Sequence, residues 1–149
     1  MKIHTVKLYQ EFNAPIEEVW SSFNDHETMG KIMGQKSSRV VDSPDPNNIN
    51  GVNSVRRLSV PLMPFEETIR KSEKPFLIEY QVSKGTPLNH HYGTMAFKKL
   101  ADDKCAIDYS IEVGSNIPFL GGVVKSVLEK GIGDGLKNYA KRIDRLKTA

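Results

Sequence analysis

Between residues 118 and 147 the apolar residues are spaced for one long amphipathic helix, and that helix closes a chain otherwise written in short alternating strands. Leu120, Val123, Val124, Val127, Leu128, Ile132, Leu136, Tyr139, Ala140, Ile143 and Leu146 recur at three-four spacing, which draws a single apolar stripe. Pro118 is expected in the first turn, where its missing N–H is no loss. Lys141, Arg142, Arg145 and Lys147 crowd the far end, where cations suit the helix dipole. A helix of this length with one apolar face needs a sheet to lie on. A curved sheet gripping it leaves a hollow between the two, and that hollow is where function is expected.

The strands come before it. Residues 3–12 read as a first strand, with Val6, Leu8 and Phe12 on one face. Asn13-Ala14-Pro15 then opens a short helix, with Asn13 as its expected N-cap, Pro15 in the first turn and Glu17 and Glu18 at the positive end. Val19, Trp20 and Phe23 form its buried edge, and a second short helix follows over 25–30. Residues 42–48 (DSPDPNN) are dense in turn formers and read as a loop. Strand patterns then occupy 52–60, 65–72, 76–84, 92–100 and 104–113. In the last, Cys105, Ile107, Tyr109, Ile111 and Val113 alternate with Ala106, Asp108, Ser110 and Glu112. The breaks between these strands are short enough for antiparallel hairpins. Strands in succession without intervening helices indicate an antiparallel α+β fold.

Composition narrows the function classes. An apolar fraction of 38% and a charged fraction of 26% describe an ordinary folded domain. A net charge of +3 without a dense Lys/Arg run gives no argument for nucleic acid. No apolar run is long enough to span a bilayer, and the start carries no signal-peptide pattern. The single cysteine, Cys105, permits no internal disulfide, so a reducing, cytoplasmic setting is the expectation.

Four local motifs resemble one family. Asn13-Ala14-Pro15-Ile16-Glu17-Glu18-Val19-Trp20 is similar to the AP-x-E-x-VW opening of bacterial members of the START-like (SRPBCC) superfamily. Gly51-Val52-Asn53-Ser54-Val55-Arg56-Arg57 resembles their G-x-G-x-x-R strand, with Asn53 in place of the second glycine. Glu67 and Tyr80 fall where many members carry those residues. Gly85-Thr86-Pro87-Leu88-Asn89-His90-His91-Tyr92-Gly93 is similar to a G-x-P-L-x-x-H-R-G segment, with Tyr92 in place of arginine.

The resemblance spans essentially the whole chain and implies a single domain, 1–149, with the helix-grip fold. That fold is a curved antiparallel sheet of about seven strands around a long C-terminal helix, with two short helices after the first strand. The superfamily includes the birch-pollen-allergen type, the polyketide cyclase/dehydrase group and lipid-transfer domains. What it implies is a ligand cavity and not a reaction, because transporters, receptors, cyclases and dehydratases share the scaffold.

Strand alternation then assigns an inward face. Ile78, Tyr80 and Val82 point in on one strand, and Cys105, Ile107, Tyr109 and Ile111 on another. Met95 and Phe97 put His91 inward and His90 outward by parity. Leu58 and Val60 place Arg56 inward, while Phe65 and Ile69 do the same for Glu67. Val124, Leu128 and Ile132 of the long helix are expected to cover the cavity. Arg56, Glu67, Tyr80 and His91 are thus a polar minority in an apolar hollow, the usual form of a small-molecule site.

Each has two readings at this stage. Arg56 and Glu67 form either a structural cross-strand ion pair or a clamp for a ligand carboxylate or enolate. His91 is either a wall residue or the proton carrier of an acid–base step. Tyr80 and Tyr109 either pack their rings or donate to a carbonyl oxygen. The pair His90-His91 cannot share an ion from opposite faces of a strand, so no metal site and no cofactor is expected. Cys105 reads as a small buried hydrophobe. Absence of Gly-x-Ser-x-Gly and of a P-loop removes two hydrolytic classes.

Two features concern access. The apolar turn at 60–65 and the loop at 85–89 are either a lid at one mouth or ordinary hairpins. Gly131, Gly133 and Gly135 in the long helix mark either a hinge or a close crossing. Three functions remain: binding or transport of a small hydrophobic molecule (lipid, polyketide or aromatic metabolite), a cyclase or dehydratase with His91, Arg56 and Tyr80 as catalytic candidates, and a protein–protein adaptor or homodimer built on the 60–65 turn.

Overall fold

The computed structural model describes residues 1–59 and 64–148, which form seven strands and three helices. Their order is β1 (Ile3–Phe12), α1 (Ile16–Asn24), α2 (His26–Ile32), β2 (Lys36–Val41), β3 (Val55–Ser59), β4 (Phe65–Glu73), β5 (Leu77–Lys84), β6 (His90–Ala101), β7 (Lys104–Gly114) and α3 (Leu120–Thr148). The sheet is antiparallel throughout, in the order β1-β7-β6-β5-β4-β3-β2. The chain is a meander from β2 to β7 whose last strand pairs with its first, from Ile3 opposite Gly114 to Phe12 opposite Cys105. Register shifts interrupt β4 against β5 on either side of Glu67 and Ile69, the kind of irregularity that bends a sheet. This is the helix-grip architecture.

Strand β2 carries no alternating signal and was not legible. Only Ser37 of Lys-Ser-Ser-Arg-Val-Val is buried, and Val40 and Val41 are exposed. It is an edge strand held by pairing with β3, from Lys36 opposite Ser59 to Val41 opposite Val55. Its conformation comes from a partner and not from its own pattern. The apolar turn expected to be a lid or a dimer contact has residues 60–63 outside the described residues.

Helix ends differ from expectation. Asn13 does not cap α1; Pro15 occupies the N-cap with extended backbone and no side-chain cap, while the Asn13 amide donates to Asp144 Oδ1 of α3 at 3.0 Å. Asp25 caps α2 and accepts from the Thr28 N–H at 2.9 Å and its hydroxyl at 2.7 Å. Pro118 lies ahead of α3, which begins at Leu120 after Phe119 turns the chain at φ 68°.

The stripe on α3 is narrower than its apolar residues suggest. Leu136, Tyr139 and Ile143 are buried and Val124, Leu128, Ile132 and Ala140 pack partly against the core, but Val123, Val127 and Leu146 are exposed. Val123 and Val127 sit about 100° around the axis from Val124 and Leu128, beyond the width that the sheet covers.

The three glycines of α3 are not alike. A Cβ at Gly135 would stand 2.9 Å from the Ile32 carbonyl of α2, whereas one at Gly131 meets nothing within 4 Å and one at Gly133 only Leu8 at 3.8 Å. Gly135 therefore marks a close approach of two backbones. Gly131→Ala is expected to raise stability by up to about 1 kcal/mol through helix propensity, and Gly135→Ala to lower it. Urea denaturation of the two variants checks this; a gain in both would mean that the α2–α3 approach is not tight.

Two regions of interior result. Under α1 and the C-terminal half of α3, Phe12, Phe23, Phe97 and Tyr139 form an aromatic cluster with ring centroids 5.3–6.3 Å apart. Under α2 and the middle of α3 the polar residues gather.

Candidate functional site

Arg56 on β3 and Glu67 on β4 are direct cross-strand partners. Both point into the grip, 1% and 4% exposed. Arg56 Nε donates to Glu67 Oε1 at 2.6 Å. That bond uses one corner of the guanidinium. Nη1 and Nη2 are buried with no hydrogen-bond partner among the described residues. The guanidinium carbon lies 5.0 Å above the Tyr80 ring, whose π-face is its other support. Burial raises the Glu67 carboxyl above its ordinary value, with the Arg56 charge pulling the other way.

Tyr80 reaches Tyr109 across an intervening strand because β6 offers no side chain there. Gly93 is the residue opposite Tyr80, and a Cβ on it would stand 2.2 Å from the Tyr80 ring. The ring lies over this gap, edge-on to Tyr109 at a centroid distance of 6.4 Å, and the two hydroxyls are hydrogen-bonded. Burial first, and neighbouring negative charge next, push both phenols upward.

His91 faces the same interior, its ring 6.5 Å from Phe65, while His90 lies on the other face against Glu112 Oε1 at 3.0 Å. Burial, then the charge of His90, lowers His91 to about 4. A second buried histidine lies nearby. His26, the first residue of α2, is buried with Nε2 2.9 Å from the Ser54 hydroxyl and Nδ1 without a partner among the described residues. Burial, then Arg56 and Arg39, lowers it to about 3, against a smaller opposing effect of Asp25. The place of His26 at the start of α2 gives it no period to be read from, and its contact with Ser54 depends on where α2 docks.

Both histidines hold fewer protons folded than unfolded between about 6.5 and their folded values. The stability they protect is therefore present above 6.5 and lost as pH falls, at up to about 1.4 kcal/mol per pH unit for each. Glu67, raised in the fold, works in the opposite sense over its own range. The difference between wild type and His91→Phe isolates the imidazole: the variant should lose one proton's worth of slope between pH 6.5 and 4. Parallel stability–pH curves would contradict it.

A space of about 60 Å³ lies among these groups, lined by Arg56, Leu58, Glu67, Tyr80, His91 and Tyr109 of the sheet and Leu128 and Ile132 of α3. Phe65, on the inward face that alternation assigns it, joins them, and Met29, Met33 and Gln35, which no strand pattern announces, complete the wall. Met29 and Met33 come from α2 and its end, whose placement against the sheet no local pattern announces. Four expected lining residues do not reach it. Ile78, Met95 and Phe97 are core residues toward the aromatic cluster, and Val124 packs a turn before Leu128. They share the inward face, but the grip is closed over them.

The size is also a correction. Small-molecule sites commonly run to roughly 300–1,000 Å³, so the expected hollow is mostly filled. Gln35 Oε1 is a buried acceptor with no partner among the described residues, on the same wall as the free Arg56 nitrogens. Cys105 is buried, and burial lifts its thiol to about 11. Among the described residues no group of three or more His, Cys, Asp or Glu could hold a metal, and no helix is long and apolar enough to cross a membrane.

A family model described as polyketide cyclase/dehydrase and lipid transport matches residues 4–149. Comparison with curated proteins gives no match. Among solved structures, a START superfamily protein from Mycobacterium smegmatis is similar at a TM-score of 0.77 and 15% identity, over 94% of this chain and 99% of that one. A Thermobifida fusca protein solved by solution NMR gives 0.76 and 18%, over 95% and 94%. Norcoclaurine synthase from Thalictrum flavum, in complex with dopamine and hydroxybenzaldehyde, gives 0.68 and 12%, over 95% and 88%. At these identities the likeness is one of fold.

Proposed function

The chain belongs to the polyketide cyclase/dehydrase and lipid transport family, and from that premise we propose that it binds one small, largely hydrophobic molecule between the sheet and α3, with an acceptor group of that molecule on Arg56. The observation that carries this reading is the guanidinium itself: a charged group 1% exposed, with two nitrogens unpartnered among the described residues, on a side chain that lines a largely apolar space. Buried donors are rarely left so. Affinity would come mainly from apolar burial, about 25 cal/mol per Å².

The space of about 60 Å³ admits a head group. The body of the ligand enters by displacing Met29, Met33 and Leu128, and unbranched methionine adapts to such repacking better than a β-branched residue would. A lipid and metabolite screen by native mass spectrometry and thermal shift tests the reading. A bound molecule should raise the melting temperature of wild type and raise that of the Arg56→Met/Glu67→Leu double variant by less. A screen in which nothing binds wild type would remove it.

A second reading, cyclase or dehydratase, rests on the Tyr80–Tyr109 hydroxyl pair beside Arg56. In it Tyr80 and Arg56 stabilise a developing enolate and His91 moves the proton. An imidazole lowered to about 4 is a weak base at neutral pH, which is why binding stands first. Turnover of a candidate carbonyl substrate should collapse in folded His91→Ala and Arg56→Ala proteins; full rate in both would end this reading.

A further inference from the structure

The arrangement around Arg56 narrows the ligand further, on the footing of the binding function just proposed. Nη1 and Nη2 present paired N–H groups in the fixed fork that matches the two oxygens of a carboxylate. A hydroxyl or a single carbonyl would engage only part of that fork. Glu67 already occupies the Nε corner at 2.6 Å. A second carboxylate on the same guanidinium would leave two negative charges against one positive charge, walled by Met29, Met33, Leu58, Leu128 and Ile132. Such an uncompensated charge is not tolerated in an apolar interior, and one proton removes it. We propose that the ligand is a monocarboxylic acid, held bidentate by Arg56 Nη1 and Nη2, and that its binding takes up one proton into the pair formed by Glu67 and the ligand carboxyl.

The proton has places to reside. Glu67 is one. The other is the ligand oxygen turned toward Gln35 Oε1, a buried acceptor on the same wall with no partner among the described residues. No other group facing Glu67 competes for it near neutrality. Arg56 from β3 offers only donors; Tyr80 from β5 and Tyr109 from β7 are phenols pushed upward; His91 from β6 is lowered to about 4. Helix α2 and α3 contribute Met29, Leu128 and Ile132 to the wall, Met33 follows α2, and none of these titrates. His26 of α2 lies near Arg56 and is lowered to about 3. The raised Glu67 carboxyl agrees with this assignment. Two carboxyls on one cation titrate as a pair, so the proton belongs to both.

Titration calorimetry of the full chain with straight-chain monocarboxylates of four to twelve carbons, and with 1-alkanols of the same lengths, tests this. Measurements run from pH 6.5 to 8.5 in phosphate and in Tris, whose different ionisation heats count the protons taken up. The acids should bind at least tenfold more tightly than matched alkanols at pH 6.5, with an association constant that falls tenfold per pH unit. Alkanol binding should be independent of pH. In Glu67→Gln the acid should bind without a pH slope and more tightly than wild type at pH 8.5. Alkanols binding as tightly as acids, or acids binding wild type with no proton uptake, would overturn the inference while leaving hydrophobic binding intact. If neither class binds at any length, the binding function falls and the inference with it.

Discussion

Arg56→Met alone is expected to lower the unfolding free energy by about 3–5 kcal/mol, while Arg56→Met combined with Glu67→Leu returns to wild-type stability or above it. The single change removes the cation and leaves Glu67, 4% exposed, as a buried carboxylate with no charge opposite. Glu67 would then be driven to its protonated form, and part of the loss should be recovered on acidification. The double change removes both desolvation penalties, and it also removes the two guanidinium nitrogens that have no partner among the described residues. Guanidinium or urea denaturation of the wild type, both single variants and the double variant closes the cycle. A double variant several kcal/mol below wild type would show that the pair stabilises the sheet in its own right. Recovery would mean that the pair adds no net stability to the sheet.

Gly93→Ala should be nearly as damaging for so small a change, at about 2–4 kcal/mol from overpacking together with one lost hydrogen bond. The added methyl would fall 2.2 Å from Tyr80 Cζ, with Cε1 at 2.4 Å and the hydroxyl oxygen at 2.5 Å. Tyr80 must rotate away, which breaks its bond to Tyr109 and withdraws the aromatic face beneath Arg56. Stability measurements on Gly93→Ala, Tyr80→Leu and their combination give the test. The two changes should be strongly non-additive, because the methyl has somewhere to go once the ring is gone. Additive losses would mean that Tyr80 does not cover Gly93 as described. The tyrosine pair is thus a product of a missing side chain on the strand between.

Much of this site could be read from alternation. Arg56, Glu67, Tyr80, His91 and Tyr109 were placed on one face by parity with their apolar neighbours, and the sheet brings them to one wall. Parity says which face a residue takes but not how far along the grip it falls. Ile78, Met95 and Phe97 obey the same alternation, yet they lie toward Phe23 and Tyr139 in the packed core. The contributions of Met29, Met33 and Gln35 could not be read at all, since they depend on where α2 docks. His26 escaped for the same reason.

Hydrophobic period and turn chemistry are properties of neighbours along the chain. They settle on their own that this polypeptide makes an antiparallel sheet and one long helix, and, β2 apart, which residues of the strands turn inward. Distances between elements are set by how side chains of different elements fill shared volume, and no local period encodes that sum. Only the tertiary structure therefore decided that the interior narrows to about 60 Å³, that Gly135 lets α3 lie against the Ile32 carbonyl, and that Glu67 engages one corner of Arg56 while the other two nitrogens have no partner among the described residues.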